Sequence, residues 1–386
     1  MEIDMLFFIG GIFLGLISGL VPGIHSNTVV AVLASLGLPP ESLASAIIGL
    51  FPAHALAAFI PSIFFGIPES GTVISVLAGQ RLVMQGKGIA ALKAVLLSCA
   101  FAALLGVALF QPSLAFYSAA YGAIHDYIKW VLLAFTAVLV IRSKQPLVSA
   151  LVLLLSGLLG QYALNSGIED PFLPLFSGLF AMGAILTYTK GAVPAQKDEP
   201  VERGILKWSA LGVALGMAAH LLPGVGSPSQ IATLATLFLP LGTVAFLATI
   251  SAIATGEGIF SLSTTAAIGK SRMGTVQVLS QYVDVGQSLV PLLVLALVSI
   301  AVAAAVIYAL RNLIGKAANV DFSRANIILA AYLFLIVALI DGTWGMVIFI
   351  LASAIGWLTI RLGAERTNMM GAVIVPTLLM LFGVFI

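Results

Sequence analysis

The feature that most constrains this chain is a recurrence of long apolar runs. Hydrophobic segments fall at 5–22, 43–65, 90–112, 124–141, 146–163, 171–188, 205–222, 241–256, 280–310 (with an expected bend), 325–340, 343–361 and 368–386. Each is close to the ~20 residues a helix needs to cross a bilayer. Shorter apolar pieces at 28–38 and 229–239 cannot cross as helices and read as half-helices or re-entrant segments. Only 8% of the 386 residues are charged and 61% are hydrophobic. That is too few charges to cover a water-facing surface, for which about 25% is usual. The spacing therefore predicts an all-α integral membrane protein of the cell membrane, with about 10–12 spans. The N-terminal "MEIDMLFFIGG" lacks a basic n-region and is expected to be a first span, not a cleaved signal. A net charge of +2 gives no reason to expect nucleic acid. The single cysteine, Cys99, excludes an intramolecular disulfide and a thiolate-rich metal site.

A polar stretch from Thr189 to Lys207 divides the chain. This gives a first membrane repeat at 1–188, a linker at 189–204 and a second repeat at 205–386. The halves share a block. "GLISGLVPGIHSNTVVAVLASLGLP" (Gly15 to Pro39) aligns without gaps on "GMAAHLLPGVGSPSQIATLATLFLP" (Gly216 to Pro240) at an offset of 201. A weaker match at offset 188 pairs Glu69 with Glu257, Ser75 with Ser263 and Gly86 with Gly274. Basic residues in the linker predict that it is cytoplasmic, and the acidic "MEIDM" that the first repeat starts outside. Two similar halves entering from opposite sides would form an inverted-topology repeat, a common plan of secondary transporters.

Both shared blocks contain a Pro-Gly break inside an apolar run. Proline interrupts the helical ladder and glycine tolerates the turn. One such break is readily explained as a packing kink. Here it recurs at matching positions and is followed each time by small polar residues. A half-helix starting after the break would aim unpaired N–H groups at one spot, which suits an anion. The candidate binding residues are Pro22, Gly23, His25, Ser26, Asn27 and Thr28, with Pro223, Gly224, Gly226, Ser227, Ser229 and Gln230 in the second half. This would be an anion site without a buried lysine or arginine. A third break, "GIPESGT", and its weaker counterpart "ATGEGI" supply coupling-ion or gating candidates: Gly66, Pro68, Glu69, Ser70 and Thr72, with Thr255, Glu257 and Ser261. A carboxylate near the membrane interior serves as cation ligand or proton carrier, unless it sits at a helix end in water. No His/Cys/Asp/Glu group has metal-ligand spacing, and no nucleotide-binding or hydrolase motif is present. No catalytic residue, metal or cofactor is expected beyond Na⁺ or H⁺ as coupling ion.

The pattern G-x-x-x-G-x-x-P-G followed by small polar residues, repeated about 200 residues on, resembles the tripartite tricarboxylate transporter permeases, the TctA family. "IFFGIPESGTVISVLAGQRLVMQGKGIAALKAVLLSCAFAALLG" is similar to that family's loop, short segment and small-residue helix. The resemblance implies a cation-coupled permease for a di- or tricarboxylate, working with a small membrane subunit and an extracytoplasmic binding protein. It maps the substrate region onto Pro22 to Thr28 and Pro223 to Gln230. The chain departs from the pattern in its length, in "PGIHSNT", and at Glu69. Membrane lipids are its surroundings, and a homodimer is compatible with this reading. The alternative is a polyprenyl-phosphate or lipid translocase, because a helix N-terminus suits phosphate equally well. An intramembrane enzyme using His25 with Glu69 and a purely structural scaffold are further alternatives.

Overall fold

The computed structural model describes residues 2–68, 71–188, 193–202, 204–222, 228, 231–232, 235, 239, 241–318 and 323–384. The chain is 79% helical, with no strand among the described residues. Glu69, Ser70, Pro223, Gly224, Gly226, Ser227, Ser229 and Gln230 lie outside them, as does most of the expected half-helix at 229–239.

In chain order the helices are α1 (Met5–Leu20), α2 (Ser26–Ser35), α3 (Pro40–Ala57), α4 (Ser75–Val83), α5 (Gly88–Ala108), α6 (Phe110–Ile124), α7 (Ile128–Ile141) and α8 (Pro146–Leu164). They continue with α9 (Phe172–Leu186), α10 (Ile205–Ala219), α11 (Thr243–Ile268), α12 (Gly274–Leu279), α13 (Val285–Ala317), α14 (Ser323–Arg361) and α15 (Gly371–Leu381). Among the described residues, six helices are long and apolar enough to cross a membrane. The other expected spans form shorter apolar helices or bent pairs. The α6–α7 pair bends by 92°. Helix α14 doubles back at Gly342 (φ 60, ψ −150), which brings the rings of Phe334 and Phe349 to 6.4 Å. Large apolar side chains such as Leu147, Leu339 and Ile328 are exposed on the outer helices, as hydrocarbon solvent requires.

Local chemistry sets the element ends. Asp4 caps α1 by accepting from the Leu6 and Phe7 N–H groups. Pro40 and Pro146 sit in the first turns of α3 and α8, where their missing N–H costs nothing. Pro61 falls inside the continuation of α3, and the ladder relaxes there into a π-turn, Pro61–Phe65. Gly66 (φ 72) then ends the helix in the left-handed conformation, as Gly269 (φ 64) ends α11.

Helices α1 and α3 run parallel, because α2 returns to the side where α1 began. Asp4 marks that side: it accepts from Ser42 Oγ (2.8 Å), and its N–H donates to Ser45 Oγ (3.0 Å), both at the start of α3. The seam is made of glycines. A Cβ at Gly11 would lie 2.2 Å from the Ala46 carbonyl oxygen, and one at Gly15 2.2 Å from that of Leu50. The second half repeats the arrangement: Gly212 faces the Thr249 carbonyl and Gly216 that of Ile253. Relative to α3, α11 is offset by 203: Pro40 matches Thr243, Gly66 matches Gly269, and both helical spans have 26 residues.

The halves are interlocked. Helix α5 packs on α11 and α13 on α3; α8 lies on α15 and α14 on α9. These crossings are reciprocal: Gly160 meets the Ala372 carbonyl as Gly356 meets that of Leu179, and Gly371 meets Leu153 as Gly178 meets Phe349. Linker residues 193–202 form neither helix nor strand and lie against one end of the bundle. The Lys197 N–H donates to the Gly86 carbonyl (2.8 Å), and Gln196 Oε1 accepts from the Gly88 N–H (2.7 Å). That end holds the finish of α3 and the start of α11, so these two long helices run in opposite directions.

Candidate functional site

A cavity of about 330 Å³ lies where the two halves meet, and both contribute to its wall. From the first half come His25, Ser26, Asn27, Phe51, His54 and Thr72; from the second come Pro228, Glu257, Ser271, Arg272, Gly274 and Gln277. Phe172 and Phe176 of α9 close one side.

The break after α1 builds the first part of this wall. Gly23 makes the turn at φ 91 and packs so closely on Leu333 that a Cβ would lie 2.6 Å from that side chain. His25 caps α2: its Nδ1 accepts from the Asn27 N–H at 3.2 Å. The first turn of α2 therefore sits at the cavity, with the positive end of its dipole there. Of the first-half binding candidates, His25, Ser26 and Asn27 reach the wall, whereas Pro22, Gly23 and Thr28 shape the turn and its support. Asn27 Oδ1 and Thr28 Oγ1 are buried without a hydrogen-bond partner among the described residues.

The hairpin tips cross over. Asn27 lies against Gly274 of the other half, where a Cβ would meet its amide at 2.8 Å. Gly71 lies against Pro228, with a Cβ distance of 3.8 Å. Offsets of 201 and 203 turn one pair into the other. Thr275, beside Gly274, carries a third buried oxygen without a partner.

The gating candidates separate. Thr72 lines the cavity, and its carbonyl accepts from Ser62 Oγ and Ser75 Oγ at 3.1 and 2.7 Å. Gly66 is a helix cap and Pro68 is buried. Thr255 donates to the Ser251 carbonyl (3.0 Å) and borders a separate crevice of about 10 Å³. Ser261 Oγ accepts from the Arg272 and Met273 N–H groups at 3.2 and 3.1 Å, so it holds the loop after α11. Glu257 lines the cavity, but from mid-helix: α11 does not end near residue 256, as the sequence suggested. The helix register pairs Glu257 with His54, at offset 203, and not with Glu69. His54 Nδ1 is hydrogen-bonded to Ser18 Oγ at 2.9 Å, and the His25 and His54 rings are 6.3 Å apart.

The expectation of a site without arginine is corrected. Arg272 lines the cavity and reaches the end of α10, where Nε donates to the His220 carbonyl (3.0 Å) and Nη2 to that of Leu221 (3.3 Å). No local pattern in "GKSRMG" announces this position.

Broken helices around a cavity lined from both halves, in an otherwise apolar bundle, are an arrangement found in membrane transporters. The model of the tripartite tricarboxylate transporter TctA family matches residues 5–371, and the chain belongs to that family. It is 28% identical over 404 aligned residues to the uncharacterized protein MJ1079 of Methanocaldococcus jannaschii, covering 98% of each chain. No solved structure matches it. Members of the family work with a small membrane subunit and a periplasmic binding protein.

Proposed function

We propose that the chain is a secondary transporter of a small organic anion, a di- or tricarboxylate, coupled to Na⁺ or H⁺. The observation that carries this reading is the shared cavity, with the α2 N-terminus and Asn27 on one side and Glu257 from the other half facing the same space. Its volume of about 330 Å³ is at the low end for small-molecule sites, which run from about 300 to 1,000 Å³. A helix N-terminus contributes about 0.3–1 kcal/mol toward an anion, more when partly buried. The partnerless oxygens of Asn27, Thr28 and Thr275 support cation coupling, since hard cations take oxygen ligands.

The opposite directions of α3 and α11 support an inverted repeat. Helix directions put Lys87, Lys93, Arg142, Lys144, Lys197, Arg311 and Arg361 at the linker end. Glu2, Asp4, Glu41, Asp170 and Asp284 lie at the other end. Under the positive-inside rule this excess supports a cytoplasmic linker end, with Lys270, just past the finish of α11, on the opposite side. The plasma membrane and the family's two partner subunits complete this reading.

The test is a thermal-shift screen of the purified protein against citrate, succinate and farnesyl phosphate, each in NaCl and in KCl. A ligand at 100 times its Kd stabilises by about 2.7 kcal/mol. Stabilisation by a carboxylate, larger in NaCl or at lower pH, is expected. Stabilisation by farnesyl phosphate alone sinks the carboxylate reading in favour of a lipid translocase.

A further inference from the structure

The cavity wall carries four ionisable side chains: His25 before α2, His54 on α3, Glu257 on α11 and Arg272 after it. Only the guanidinium keeps a positive charge at every physiological pH. Its backbone is pinned, because the Arg272 and Met273 N–H groups both donate to Ser261 Oγ. Its side chain is pinned along one edge, since Nε and Nη2 hold the last carbonyls of α10, His220 and Leu221. Tyr121 lays its ring 5.7 Å from the guanidinium carbon. A guanidinium has five N–H groups. The two carbonyls take two of them, one from Nε and one from Nη2, and the Nη1 side is the edge that a carboxylate grips in two parallel hydrogen bonds.

We infer that Arg272 grips one carboxylate of the transported anion while its other edge holds the end of α10. This rests on the organic-anion reading and names the anchor within it. One side chain then connects anion occupancy to the residues that lead into the second Pro-Gly break. It also restricts the substrate class. One fixed positive charge shares the cavity with Glu257, so the protein neutralises a single carboxylate when Glu257 is protonated and none when it is ionised. Every additional carboxylate must bring a proton or a metal cation with it.

A purely structural Arg272, serving only as a cap for α10, is separable by experiment. The full-length protein in nanodiscs is treated with phenylglyoxal, and modification of Arg272 is followed by mass spectrometry with citrate, succinate or inorganic phosphate present. Citrate or succinate should slow the modification in the unmutated protein, which requires no variant to fold. Calorimetric affinity for the protecting carboxylate should fall about ten- to a hundredfold in Arg272→Lys, which keeps the charge and loses the fork. Arg272→Gln should lose more. If a carboxylate stabilises the protein but neither protects Arg272 nor binds Arg272→Lys more weakly, the anchor is overturned and the anion reading stands. If no carboxylate stabilises it, the anion reading fails and takes the anchor with it. Protection by phosphate alone would overturn the carboxylate assignment.

Discussion

In the last turn of α3, just before its π-helical continuation, stands His54; at the matching place in α11 stands Glu257. Ser18 on α1, which holds His54, is matched by Ala219 on α10. Asn27 at one hairpin tip is matched by Pro228 at the other. Beneath these differences the two regions share contacts in register: glycine seams between α1 and α3 and between α10 and α11, left-handed caps at Gly66 and Gly269, and crossed contacts of α8 with α15 and α14 with α9. Glycine-to-carbonyl contacts are sterically strict, and any added atom is felt on both sides of the seam. A polar side chain facing a cavity is under no such restriction. The strict contacts match between the two regions and the permissive positions differ, so scaffold and chemistry follow different symmetry.

The comparison can be broken hardest at the crossed contacts. A Cβ at Gly160 would lie 1.9 Å from the Ala372 carbonyl oxygen, and one at Gly356 2.2 Å from that of Leu179. Gly160→Val and Gly356→Val should each destabilise by about 3 kcal/mol or more, because backbone cannot yield as a side chain does. A lower melting temperature and loss of the monodisperse chromatography peak would report it. Similar losses in both variants are expected; a tolerated Gly356→Val beside a ruined Gly160→Val would show that the interlock is not shared.

The next effect sharpens the chemical difference. Glu257→Gln should reduce anion uptake into proteoliposomes at least about tenfold, roughly 1.4 kcal/mol in the limiting barrier. The exchange variant His54→Glu with Glu257→His should not restore it. A histidine at 257 has Ala219 where His54 has Ser18, and nothing comparable fixes its ring. Recovery of uptake in the exchange variant would mean that the two positions are equivalent and the asymmetry is incidental.

Much of the scaffold was legible because hydrophobic length and helix punctuation act locally. The expected segments 5–22, 146–163 and 205–222 are α1, α8 and α10 within a few residues, and the Pro22–Gly23 break precedes α2 as its capping chemistry requires. The end of α11 was misread. Gly256-Glu257-Gly258 looks like a helix breaker, yet the helix continues to Ile268. Gly258 is packed there against the Phe51 ring, so tertiary contact outweighs its low helix propensity. The same misreading matched Glu257 with Glu69, because polar residues were aligned where glycine seams set the register. Arg272 was invisible as a wall residue. It reaches the cavity only because Gly269 reverses the chain and Ser261 holds the returning loop, and no local pattern encodes that path.

The smallest predicted effect lies in the linker, which has no counterpart in either region. Asp198 of the linker accepts from Lys93 on α5 and from Arg311 Nε on α13 (2.9 Å), one helix from each half. Lys93 first, then Arg311, hold its carboxyl below the ordinary aspartate range. A lowered carboxyl contributes stability above the unfolded value of about 3.9 and loses it as pH falls through the folded value. The clasp is thus fully formed at pH 7. Asp198→Asn should lower the melting temperature slightly at pH 7 in dilute buffer. The two proteins should converge as the pH drops below about 4. They should also converge in about 1 M NaCl, where the screening length shrinks to about 3 Å. If the two proteins do not differ even in dilute buffer at pH 7, the linker is held by Gln196 and the Gly86 backbone, and the charges that join the two halves there are dispensable.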